Sequence, residues 1–145
     1  MSHEILTVKL HELDQKMGQL YSKIELSETA SHAEVRRELE SLRKECAEDE
    51  RALQNKLKLS KASVVEEYSA VYDQLEEVLA SVREKSSKPP TGSYGEEKAV
   101  EDKILTAEYS LDFAMQAIEH ALLQAMEAID AEMAQEERQE ADTTL

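Results

Sequence analysis

The stretch "LDFAMQAIEHALLQAMEAIDAEM", residues 111–133, decides the fold class of this chain. At about 100° per residue its polar side chains collect into an arc of roughly 140°, and apolar side chains fill an opposite arc of roughly 180°. A surface helix needs an apolar stripe only somewhat wider than about 100°. The period therefore predicts a helix, and the width of the apolar arc predicts that this helix faces two neighbours.

The apolar arc is sorted by side-chain size. Small residues, which let a neighbouring backbone approach, lie on one side: Ala114, Ala117, Ala121, Ala125 and Ala128. Large residues, which fill the space between helices, lie on the other side and are named here the apolar seam: Leu111, Met115, Ile118, Leu122, Met126, Ile129 and Met133. We predict that the apolar seam is a protein interface.

A membrane span is the competing interpretation of this stretch, and its charges exclude it. No run of more than seven residues in it lacks Asp, Glu, Lys or Arg, whereas a span needs about 20 mostly apolar residues. A helix lying in the membrane plane needs Lys and Arg on its polar face, and this polar face is acidic. No membrane span or membrane surface is expected.

The composition is typical of long helices. Among 145 residues there are three Gly, two Pro and no Trp, so the chain has few of the turn residues that a β fold requires. We predict an all-α fold, an antiparallel bundle of three to four long helices with coiled-coil-like heptad packing. Residues 1–137 are expected to form a single domain, and residues 138–145 a frayed acidic tail.

Apolar spacing and helix-start signals predict the helix boundaries. Spacings of 4-3-4-3-4 from Leu6 to Ile24 form a heptad row, which predicts a first helix over about 4–28. Ser31 followed by Glu34 matches a capping box at the start of the next helix.

The middle segment, 32–87, leaves two alternatives open. It is either one helix of about 55 residues or two helices with a break near residue 60, where Ser63 and Glu66 offer a second capping box. With a break, four helices fold into a compact bundle. Without one, the last helix lies on a single neighbour, and its wide apolar arc needs a second copy or another protein to cover it.

Pro89 and Pro90 mark the clearest boundary in the chain. They lie in "SSKPPTGSYG", residues 86–95, together with two of the three glycines. Because proline cannot continue a helix and its preceding residue disfavours one, we predict a loop over 86–96. The last helix then runs over about 97–135.

The charge is acidic and unevenly distributed. The formal net charge is −15, and residues 96–145 contribute −11 of it through 14 acids and 3 bases. Repulsion from phosphates excludes nucleic acid as an expected partner. The acidic last helix is compatible with a chaperone or inhibitor that covers a basic surface on a partner.

The sequence contains no constellation of reactive residues. A di-iron bundle needs Glu-x-x-His pairs, and none of the four histidines is in one. The glycines at 92 and 95 match neither nucleotide-binding motif, and there is no G-x-S-x-G elbow. Cys46, the single cysteine, is at a core-spaced position and is expected to act as a small hydrophobe. No catalytic residue, cofactor or metal site is expected.

These observations favour a non-enzymatic helical interaction protein: an adaptor, scaffold or assembly factor acting through apolar helix faces. Its expected partner is a second copy, giving a homodimer, or another helical protein. A cytoplasmic location is expected, because the first residues show no basic region followed by an apolar one. The alternatives are the acidic chaperone or inhibitor and a metal-dependent helical-bundle enzyme.

Overall fold

The structure, a computed structural model of the chain, describes residues 2–60, 62–86 and 93–144. These residues contain no strand and form four helices: α1 Ser2–Ser27, α2 His32–Leu59, α3 Ser63–Ser86 and α4 Ser93–Thr143. The predicted all-α helical fold is confirmed. The heptad packing of the helices stays a prediction.

The middle segment is two helices, so the break that the sequence left open is present. The compact four-helix bundle expected with that break stays a prediction. α2 ends at Leu59, and Ser60 after it has an extended backbone with φ −78° and ψ 134°. α3 begins at Ser63, so this serine is the first helical residue and not the cap that the sequence pattern offered. The backbone N–H of Val65 donates to the Ala62 carbonyl at 3.0 Å in this first turn.

A capping box opens α2, as the sequence predicted. The backbone N–H of Glu34 donates to Ser31 Oγ at 3.2 Å, and the backbone N–H of Ser31 donates to Glu34 Oε2 at 2.9 Å. Two donors that have no partner within the helix are satisfied in this way.

α4 is longer at both ends than the predicted segment 97–135. It begins at Ser93 and continues to Thr143, through most of the region where a frayed tail was expected. Residues 135–141 are Gln, Glu, Arg and Ala, which favour helix. A side chain also serves a carbonyl of the last turn: Thr144 Oγ1 donates to the Glu140 carbonyl at 3.0 Å. Residues 87–92 of the predicted loop lie outside the described residues.

The chain divides into two units, residues 1–25 with 107–145 and residues 26–106. The single domain expected over 1–137 stays a prediction. In both units the large apolar side chains are accessible to water. None of residues 4–60, 62–84 and 95–144 is buried.

Within the second unit, α2 and α3 pack against each other. Gln54 Nε2 of α2 donates a hydrogen bond of 2.8 Å to Glu76 Oε1 of α3. Glu50 and Tyr72 are half-buried like these two residues, and the Tyr72 hydroxyl is hydrogen-bonded to Glu76. The α2–α3 contact therefore contains a polar cluster of four residues: Glu50, Gln54, Tyr72 and Glu76.

This polar cluster lies beside the predicted heptad rows. Each member follows a row position directly, as Gln54 follows Leu53 and Glu76 follows Leu75. One residue is about 100° around a helix, so the cluster is rotated away from the rows. Leu53 and Leu75 are 42% and 50% exposed, and their surfaces remain available for other contacts.

The surroundings of Tyr72 raise the pKa of its phenol above 10.0, the ordinary value. Partial burial of the phenol contributes most, and the hydrogen bond to Glu76 comes next. The negative charges of Glu76, Glu50 and Asp73 add to the effect. All of these disfavour the phenolate.

Replacing Ser31 by Ala should lower the free energy of unfolding by about 1 kcal/mol, because the α2 N-terminus loses its cap. Thermal unfolding followed by far-UV circular dichroism measures this. Ser41→Ala is the matched control, since Ser41 is exposed within α2 and Ala favours helix at such a position. Equal effects of the two substitutions would show that the cap does not stabilise the chain.

The Tyr72 contact should weaken in alkali. Because its folded-state pKa is raised, the phenol contributes stability that is fully present below about pH 10 and is lost as pH rises through the folded-state pKa. Urea unfolding at about pH 9 and about pH 11 should therefore show a smaller loss of stability for Tyr72→Phe than for the unmodified chain. Tyr68→Phe, one turn earlier on α3, is the control and should keep the original loss. An unchanged loss in Tyr72→Phe would contradict the assignment.

Candidate interaction surface

The structure places the whole apolar seam on one uninterrupted helix. All seven residues lie within α4, where no break or cap interrupts their spacing. Leu111 is 72% exposed and Leu122 is 48% exposed, while Ile118 and Ile129 are half-buried. The seam is thus a continuous apolar stripe in contact with water, and its role as an interface stays a prediction.

The alanine side of the same arc is also accessible. Ala125 is half-buried, whereas Ala121, one turn earlier, is exposed. Methyl groups offer little area for a neighbour to cover, so this side matters mainly as a place where another backbone can come close. The prediction that α4 faces two neighbours stays open.

Two large apolar residues that the sequence interpretation overlooked lie on the polar arc. Phe113 is 67% exposed and Leu123 is 55% exposed. The helical wheel already carried the signal, because these positions fall among Asp112, Gln116 and Gln124. Tyr109, one turn before Phe113, is exposed as well. Isolated apolar residues on a surface are ordinary, so these are weaker candidates than the seven-residue seam.

The polar arc of α4 is acidic, and it flanks the seam along its length. Residues 96–145 hold 14 acids and 3 bases. Acids continue beyond the seam to Asp142, within the helix. Any partner that contacts the apolar seam therefore also lies close to the acidic side chains beside it.

Cys46 is exposed, so the sequence expectation of a core-like environment is not what the structure shows. A surface hollow is lined by Glu96, Glu97, Val100 and Glu101. Over the part of the chain that the structure describes, no group of three or more His, Cys, Asp or Glu side chains could hold a metal ion.

None of the helices described by the structure is long and apolar enough to cross a membrane. Comparisons with protein-family models, with curated proteins and with solved structures find no match to this chain.

Proposed function

We propose that this chain is a non-enzymatic helical interaction protein, an adaptor, scaffold or assembly factor, that acts through the apolar seam of α4. A second copy of the chain, forming a homodimer, is the first partner we propose, and another helical protein is the alternative. The observation that carries the proposal is the seam itself, seven large apolar residues along one face of a continuous helix, of which five are exposed and two half-buried.

Contiguous apolar stripes of this kind are costly to leave in water. Complete burial of a Leu, Ile or Met side chain contributes roughly 1.5–3 kcal/mol. Because the seam residues are about half exposed, covering them gains roughly 1 kcal/mol each, or roughly 14 kcal/mol for two copies. Association costs roughly 4–15 kcal/mol in lost freedom. The seam alone therefore supports pairing whose extent depends on concentration.

Coiled-coil-like pairing of α4 is also compatible with the acidic residues beside the seam. Acidic residues flanking an apolar stripe stay in water when two helices meet along that stripe. They cost little there, because charges on an exposed rim are screened by solvent and salt. The same residues would be expensive to bury against a flat apolar surface.

The mass in solution tests the proposal. Light scattering behind size exclusion, over a hundredfold dilution, should give a mass near twice the 16.4 kDa of one chain at the highest concentration. Leu122→Glu places a charge in the centre of the seam and should shift the mass toward that of one chain.

Leu123→Glu is the matched control. It changes a neighbouring residue of similar exposure by the same chemistry, about 100° away around α4. It should leave the association intact. A mass of one chain at every concentration would refute self-association, and equal loss in both variants would show that the seam is not the interface.

The acidity of α4 favours a second candidate function, in which the helix covers a basic surface of another protein as a chaperone or inhibitor. The net charge of −11 on residues 96–145 supports it. Electrostatic attraction of this kind increases association rates and is reduced by salt.

A Lys- and Arg-rich peptide probes this second function. Glu136, Glu137 and Glu140 changed together to Gln should weaken peptide binding, and added salt should weaken it steeply. The control changes Glu38, Glu48 and Glu67, which are exposed on α2 and α3, and removes the same amount of charge. Equal weakening by both triple variants would show that net charge, rather than the α4 surface, attracts the peptide.

The enzyme class and the location belong to the proposal as well. The absence of catalysis is part of what we propose, and the cytoplasmic location expected from the sequence stays a prediction.

A further inference from the structure

The apolar seam is built on an internal repeat of eleven residues. "LDFAMQAIEHA", residues 111–121, is followed directly by "LLQAMEAIDAE", residues 122–132. The two segments are identical at five positions: Leu111 and Leu122, Ala114 and Ala125, Met115 and Met126, Ala117 and Ala128, and Ile118 and Ile129. Met133 then occupies the first position of a third repeat. Since α4 is continuous across both segments, the same apolar side chains recur along one face of the helix.

An eleven-residue repeat differs physically from the heptad rows on the other helices. Eleven residues in three turns give about 3.67 residues per turn, and seven in two turns give about 3.5. On a helix of 3.6 residues per turn, a heptad row drifts by about 20° per repeat in one direction, and an eleven-residue row drifts by about 20° in the other. Over 22 residues the two kinds of row diverge by about 100°.

This difference limits which helix can cover the seam. The rows of α1, α2 and α3 are spaced as heptads: Leu6, Leu10, Leu13, Met17, Leu20 and Ile24 in α1; Val35, Leu39, Leu42, Cys46, Asp49 and Leu53 in α2; and Val64, Tyr68, Val71, Leu75, Val78 and Val82 in α3. None of these rows follows the seam over its full length, whereas the seam of a second copy does. Among the helices of this chain, the matching period therefore favours a second copy of α4 as the occupant.

We propose that the apolar seam pairs with the same seam of a second copy, antiparallel, with the two-fold axis at Leu122. This deepens the proposed function and rests on it. The seam spacings are 4-3-4-4-3-4, which read the same in both directions from Leu122. An antiparallel pair with its two-fold axis at Leu122 needs this property if seam residues are to face seam residues, because residue i then meets residue j while j meets i. Leu111 then faces Met133 of the second copy, and Met115 faces Ile129.

The charge of the segment after the seam favours the antiparallel direction, because residues 102–108, which it would face there, hold only two acids and one base. Residues 136–142 hold four acids and one base. A parallel pair would place this acidic segment beside its own copy, where like charges repel. An antiparallel pair separates the two copies of the segment by about 50 Å, since each lies about 17 residues from the axis at 1.5 Å per residue. That distance exceeds the screening length of about 8 Å in physiological salt.

Distances between spin labels test direction and register together. In a Cys46→Ser background, which removes the only native thiol, single cysteines at Gln139 or at Gln124 carry a nitroxide. Both glutamines are exposed in α4. The antiparallel pair predicts about 50 Å between the two labels at 139 and under about 25 Å between those at 124. Light scattering on the same samples gives the mass, and adding Leu122→Glu should abolish both distances.

Each outcome decides the proposal. The long distance at 139 with the short distance at 124 supports it. Short distances at both sites mean a parallel pair, and long distances at both mean another interface or register. Either result overturns the antiparallel proposal. A doubled mass in the same samples would still support self-association. A single-chain mass without a measurable distance overturns this proposal and the self-association of the proposed function together.

Discussion

The exposure of large apolar side chains along every helix is the constraint on which the rest of this structure depends. From Leu59 at the end of α2 to Leu111 in α4, such residues stand in water. Most helical stability in proteins comes from tertiary packing of an apolar face. A chain organised in this way gains stability whenever another surface covers its faces. A partner that binds these faces in the folded chain would therefore also raise its free energy of unfolding.

What the chain supplies by itself is local and mainly polar. The Ser31–Glu34 capping box fixes the start of α2, and the Gln54–Glu76 hydrogen bond joins α2 to α3. Ion pairs such as Lys9 with Glu12, 3.1 Å apart, lie on the surface of one helix and contribute little. These interactions define where helices begin and which two of them meet. They do not cover the apolar faces of the helices, and the apolar seam of α4 is one of these faces.

Features that depend on residues close in the sequence could be predicted from it. Contacts between helices and the exact end of α4 could not. The capping box and the all-α fold follow from local chemistry, and both were predicted. The last turns of α4 were underestimated because the acidic run after Gln135 was interpreted as a tail, although its residue types favour helix. The polar cluster around Tyr72 could not be predicted from heptad spacing. That spacing selects the row of Leu53 and Leu75, while the helices meet one position further around.

The eleven-residue repeat shows why a helical wheel was not enough for the candidate surface. A wheel projects all turns onto one circle, so it reports that Leu111, Leu122 and Met133 share a face but discards how that face winds along the helix. The winding decides which partner fits, because two rows stay in contact only if they drift at the same rate and in the same direction.

Three helices of this chain carry heptad rows and the fourth carries an eleven-residue row. Heptad rows favour left-handed supercoils, and the eleven-residue row favours a weakly right-handed one. A heptad row and the eleven-residue row therefore stay aligned over only part of their length when two helices that carry them pair. In the pairing that we propose, the two seams of α4 drift at the same rate, whereas a heptad row would leave the seam before its end.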